Sequence, residues 1–110
     1  MSDLTKKRCA PCEEGTEPLT KPQAEELLKQ LEPRWKLLGV DKIEAKFEFK
    51  NYFRTTAFIN AAIWIAHQED HHPDIAFGYN NATVTFSTHS VNGLSHNDFI
   101  CAAKVDALLK

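Results

Sequence analysis

The sequence predicts a two-layer α+β sandwich within the broad α/β class: a four-stranded antiparallel sheet with helices on one face, in the order α-β-β-α-β-β-α. Two observations predict it. Ile43, Ala45, Phe47 and Phe49 alternate with Glu44, Lys46, Glu48 and Lys50, and Ala82, Val84, Phe86 and Thr88 alternate with Thr83, Thr85 and Ser87. A period of two marks strands with one wet face and one buried face. Between these runs, Phe58, Ala61, Ala62, Ile65 and Ala66 recur at helical spacing. Two hairpins separated by one helix form one antiparallel sheet, and its apolar face needs a covering layer.

The elements follow in order. Residues 1–19 read as an irregular leader punctuated by Pro11, Gly15 and Pro18, and residues 20–110 as a single domain. Thr20 with Gln23 has the capping-box spacing, and Ala24, Leu27, Leu28 and Leu31 give the helix an apolar face until Pro33 ends it. Trp35 and Leu37 belong to a first strand, and Gly39 to Lys42 form the turn into the second. The long helix starts near Asn51 or Tyr52 and ends about Glu69, before Pro73; Ile63 and Trp64 widen its apolar stripe, which predicts deep burial. Ile75, Phe77 and Tyr79 form a third strand, and Asn80-Asn81 a turn into the fourth. After Asn92-Gly93, Ser95 and Asp98 repeat the capping-box spacing ahead of a last helix bearing Phe99, Ala102, Ala103 and Leu109. The other sheet face, or a sheet edge, stays available, and association with a second copy would remove the liability of an open edge.

Composition narrows the function classes. The chain has 110 residues, 43% of them hydrophobic, which suits one domain with one modest core. A formal charge of -2 argues against a broad basic surface for nucleic acid. No apolar run approaches a membrane span, and the opening MSDLTKKRCAPCEEG lacks the apolar segment of a secretory signal, so the expectation is a cytoplasmic protein with no membrane association. Three cysteines do not make a disulfide framework. Cys9 and Cys12 would be half of a zinc site, but no second pair exists and Cys101, read as a small buried hydrophobe, lies far along the chain, so the pair reads as part of a tail without assigned chemistry. The pair also lacks the strand-to-helix setting of a redox motif.

The chemistry concentrates in QEDHHPD, residues 68–74. His67 and His71 share a helix face, yet His67-Gln68-Glu69-Asp70-His71 puts the glutamate one place too late for the zinc helix H-E-x-x-H. Imidazole can both give and take a proton near neutrality. A turn at Asn80-Asn81 brings the two ends of the hairpin together, so His71 or His72 approaches His89. The plainer alternative is a helix end, where the dipole favours histidine. Asp98 can cap the last helix or orient a histidine.

Taken together, His67, His71, His72, Pro73, Tyr79, His89 and Asp98 resemble the signature of the pterin-4a-carbinolamine dehydratase family, with matching spacing at each step. DHHPD, the Ser-Thr-His-Ser around His89, Gly93-Leu94 and Asn97-Asp98-Phe99-Ile100 are similar too, and the likeness covers residues 20–109. Position 67 is often acidic in the family and is histidine here. The leader resembles those of some bacterial members. The resemblance implies a lyase that dehydrates a 4a-hydroxytetrahydropterin, without metal or bound cofactor, recycling the pterin for phenylalanine hydroxylase. It implies a homodimer or homotetramer; the animal member is also a dimerisation cofactor of a homeodomain transcription factor. His71 and His89 are then the acid–base candidates, with His72, the third catalytic candidate, binding or orienting the pterin and assisting proton transfer. Asp98 orients a histidine or shapes the pocket, and Glu69 and Asp70 are candidates for ring contacts. A noncatalytic dimerisation or regulatory module on the same scaffold is the alternative.

Overall fold

The computed structural model describes residues 4–10 and 16–109. Helix α1 (Lys21–Leu28) begins with a reciprocal cap: Gln23 N–H donates to Thr20 Oγ1, and Thr20 N–H donates to Gln23 Oε1 at 2.9 Å. Strand β1 (Lys36–Leu38) turns through Gly39, whose φ of 61° lies in the left-handed region open to glycine, into β2 (Lys42–Glu48). Asn51 caps α2 (Tyr52–Glu69) by accepting from Arg54 N–H at 2.9 Å. Strands β3 (Asp74–Phe77) and β4 (Asn81–Phe86) form the second hairpin, and α3 (His96–Ala107) closes the chain. Short 3-10 turns lie at Leu4–Lys6 and His89–Val91.

The sheet order is β1-β2-β4-β3, antiparallel throughout, with the helices on one face. The register explains the core. Ile43 lies opposite Phe86, Ala45 opposite Val84 and Phe47 opposite Ala82 across β2 and β4, and all six are buried. The alternation in sequence thus becomes a continuous apolar face, because residues two apart point the same way. Phe58, Ile59, Ala62 and Ala66 of α2 and most of α3 cover it. Phe47 packs between Trp35 and Phe58, at ring-centroid distances of 6.1 and 4.6 Å.

Two polar constraints fix how the layers dock. Asp106, buried on α3, accepts from Trp35 Nε1 at 2.9 Å and from Glu32 N–H at 3.1 Å. Burial pushes its carboxyl upward against the pull of those donors. Gly93 sits so close to Pro18 that a Cβ there would meet the proline ring at 2.7 Å. This close approach accompanies a hydrogen bond from Leu19 N–H to Leu94 O at 2.8 Å.

Three sequence expectations need revision. Ile63 and Trp64 are not deeply buried; they are 51% and 59% exposed, on the side of α2 that faces away from the sheet. The leader carries one 3-10 turn, and its Leu4 is buried in the core against α3. Cys101 is remote from Cys9 only along the chain, since their sulfurs lie 3.5 Å apart. Cys12 lies outside the described residues. Among the described residues, no helix is long and apolar enough to cross a membrane.

Replacing the central aromatic tests this account of the core. Phe47→Ala is expected to lower unfolding free energy by ~3–5 kcal/mol, measured by urea denaturation. A loss below ~1 kcal/mol would mean that the layer contact lies elsewhere.

Candidate active site

The histidine-rich segment leaves α2 through Asp70, whose φ of 51° and ψ of 44° form a left-handed cap. This cap turns the chain sharply, and His71 N–H bonds back to Ala66 O at 3.1 Å. Pro73 cannot continue the helix, so the strand starts at Asp74. His71 is thereby delivered over the end of β4. Its ring stacks on Phe86 at 6.0 Å with an interplanar angle of 8°.

Asp98 organises the site. It is fully buried, three residues into the capping box of α3. Oδ2 accepts from Ser95 N–H at 2.9 Å and from the Thr88 hydroxyl at 2.8 Å. Oδ1 lies 2.6 Å from His71 Nε2, whose side chain is 11% exposed. An ionised carboxylate only accepts, so Nε2 carries the proton. In the neutral ring this leaves Nδ1 as the proton acceptor. Thr88 has one hydroxyl proton, which it donates to Asp98; the Ser95 hydroxyl, 2.8 Å from Thr88 Oγ1, is therefore the donor in that contact. Asp98 thus both caps the helix and orients His71.

A cavity of about 340 Å³ lies beside this dyad, lined by His71, Asp70, Glu69, Gln68, Thr88, Ser90, Asn97, Cys9 and Ala10. Glu69 does not present a free carboxylate to it. Oε1 accepts from Cys9 N–H at 2.8 Å, and Oε2 pairs with Lys104 Nζ at 2.8 Å and Arg8 Nε at 3.0 Å. Burial alone would raise this carboxyl. The hydrogen bonds from Lys104 and Cys9, with the charges of Lys104 and Arg8, outweigh burial and hold it at about 2. Glu69 therefore ties α2, α3 and the N-terminal segment together around the cavity.

The other sequence candidates are placed differently. Asp70 is exposed at the cavity rim, and His72 is exposed beside it in sequence. His89 is exposed on the 3-10 turn after β4 and lines a separate, shallower cavity with Asp41, Lys42 and Ser87; Thr88 lines both cavities. His67 is exposed, its ring 5.4 Å from that of Trp64. His96 is exposed on the first turn of α3. Among the described residues, no group of three or more His, Cys, Asp and Glu side chains is arranged to hold a metal ion. A larger depression of about 640 Å³ lies at the turn end of the β3–β4 hairpin, bordered by Arg34, Lys46 and Glu48, and holds no histidine. Size alone does not mark the site.

Sequence reasoning missed Cys9, Ala10 and Asn97 as cavity wall. Asn97 Nδ2 donates to Ala10 O at 2.7 Å, and its Oδ1 accepts from Ala10 N–H at 3.1 Å, across 87 positions of chain. No local pattern predicts so distant a pairing.

The family model for pterin 4 alpha carbinolamine dehydratase matches residues 17–108, and the protein belongs to this family. A relative from Nitrosomonas eutropha that bears the family's name is 57% identical over 109 residues, covering 99% of this chain and 96% of its own. One from Nitrosomonas europaea is 56% identical over 110 residues, covering 100% of this chain and 96% of its own. A transcriptional coactivator/pterin dehydratase from Brucella melitensis shares the fold in its crystal structure, with a TM-score of 0.80 and 33% identity, covering 86% of this chain and 100% of its own. A pterin dehydratase-like protein described as a RuBisCO assembly factor in the alpha-carboxysome gives a TM-score of 0.59 at 26% identity, over 67% of this chain and 87% of its own.

The Glu69 clasp has a pH signature. A carboxyl held at about 2, below its ordinary 4.5, stabilises the fold above its ordinary value and loses that contribution as pH falls through 4.5 toward 2. Glu69→Gln should cost about 1–3 kcal/mol in denaturant titrations at neutral pH. The gap between variant and parent should narrow on acidification below about pH 5. A gap independent of pH would refute the ionic role.

Proposed function

We propose that the protein is a hydro-lyase that converts a 4a-hydroxytetrahydropterin to quinonoid dihydropterin and water. The observation that carries this reading is His71, fixed by buried Asp98 at the wall of a cavity, in a chain that belongs to the dehydratase family. The substrate bears a hydroxyl on a carbon bonded to a ring nitrogen. Its departure needs a proton delivered to the hydroxyl oxygen and a proton taken from the ring nitrogen, whose lone pair helps expel the hydroxyl. His71, and His89 from the adjoining cavity across Thr88, divide these acid and base steps, and His72 orients the ring and assists proton transfer. Asp98 sets the His71 tautomer, so the nitrogen left to exchange protons is Nδ1. Asp70, exposed at the rim, is the residue that contacts the ring in this reading, whereas Glu69 supports the wall.

The substrate comes from an aromatic amino acid hydroxylase, and the product returns to the same pterin cycle in the cytoplasm. A homodimer or homotetramer is the working assembly. Support comes from apolar surface on α2 and the open edge strand: Phe53, Trp64, Ile63 and Phe77 are 84%, 59%, 51% and 50% exposed.

The carboxysome relative favours one second reading, a noncatalytic assembly module on the same scaffold. Carbinolamine dehydration separates the two. With substrate generated continuously by a phenylalanine hydroxylase and followed by ultraviolet absorbance, the purified protein should accelerate the reaction in the presence of a chelator. His71→Ala should lose ~10²–10⁴-fold in kcat while keeping its fold. No acceleration by folded, assembled protein would favour the module instead.

A further inference from the structure

We propose that Cys9 and Cys101 form a reversible disulfide that staples the N-terminal segment to α3 beside the His71 cavity. Their sulfurs are 3.5 Å apart, against about 2.05 Å for a disulfide bond, so closure needs a shift of roughly 1.5 Å. The surrounding bonds already aim the two residues at each other. Cys9 N–H is held by Glu69 Oε1 at 2.8 Å, and Ala10 is clamped by both ends of the Asn97 side chain, at 2.7 and 3.1 Å. Asn97 and Cys101 stand four residues apart on one face of α3, so a single helix face receives both the backbone and the sulfur of the segment.

The two thiols have different parts in the reaction. Cys9 is half-buried and lines the cavity, which gives an oxidant access. Cys101 is fully buried, and its hydrogen bond to Cys9, with burial, pushes its thiol upward. Cys9, the accessible sulfur, is therefore the attacking residue and Cys101 the resolving thiol. The oxidant is a low-molecular-weight disulfide. Cys9 attacks one of its sulfurs and expels the first thiolate, which takes the Cys9 proton. Cys101 then bonds to the Cys9 sulfur as the second thiolate leaves and takes the Cys101 proton. The small disulfide is reduced to two thiols, and the two cysteines are oxidised to one cystine. The bond would close a loop spanning 92 positions, nearly the whole chain, so it removes much of the freedom of the unfolded state.

The test uses the full chain as Cys12→Ser, which removes the neighbouring thiol, with Cys9→Ser,Cys12→Ser as the control. Each is incubated with oxidised glutathione, quenched, denatured and alkylated, then digested without reductant. The Cys12→Ser protein should lose two alkylatable thiols and yield a peptide pair joined through Cys9 and Cys101. Its melting temperature should rise by roughly 10 °C or more, reversed by dithiothreitol. The control should yield no such pair and no such rise. Cys101 remaining alkylatable, or glutathione retained on Cys9, would overturn the proposal. So would a Cys9–Cys12 bond with Cys101 free in the unsubstituted chain.

Discussion

A carboxylate with no access to water must have its charge met by donors, and Asp98 is such a carboxylate. Its three donors come from three parts of the chain: the Ser95 N–H at the start of α3, the Thr88 hydroxyl after β4, and the His71 ring after α2. Satisfying this single group therefore fixes the mutual placement of the last helix, the sheet end and the histidine segment. The site is held by elements that also build the core, since Phe86 faces Ile43 within the sheet and underlies the His71 ring. A histidine braced by an apolar ring and a buried acid has little rotational freedom, which suits proton transfer along one direction.

Much of the fold is legible in the sequence because its signals are local. The alternation from Ile43 to Phe49 needs only a period of two, and the capping boxes at Thr20 and Ser95 need only a few residues of context. Ile63 and Trp64 mislead because apolar character on a helix does not say which side the sheet will occupy; α2 has more apolar surface than one sheet face can cover. The dual role of Asp98 was open in sequence and closed by geometry, for capping and orienting use different oxygens of one carboxylate.

The site was legible only in part. His71 and Asp98 lie 2.6 Å apart, a pairing the sequence offered only as one of two roles for Asp98, with the histidine left open. His89 reaches the same end of the hairpin but opens into a neighbouring cavity, because the 3-10 turn carries it outward from Thr88. Glu69 looks like a candidate for substrate contact from its position beside the histidines. Its true partners, Arg8 and Lys104, are 61 and 35 positions away, and nothing in a linear reading pairs them. The same limit hid the N-terminal segment, which reads as a loose leader yet walls the cavity through Cys9 and Ala10.

The central claim is that buried Asp98 dictates where His71 carries its proton. Nitrogen-15 NMR of the imidazole rings, assigned by comparison with His71→Gln, reads the tautomer directly. At about pH 8, where an ordinary imidazole is neutral, the account predicts a single His71 species protonated at Nε2 and bare at Nδ1. A ring protonated at Nδ1 and bare at Nε2, or an even mixture of the two tautomers, would contradict it.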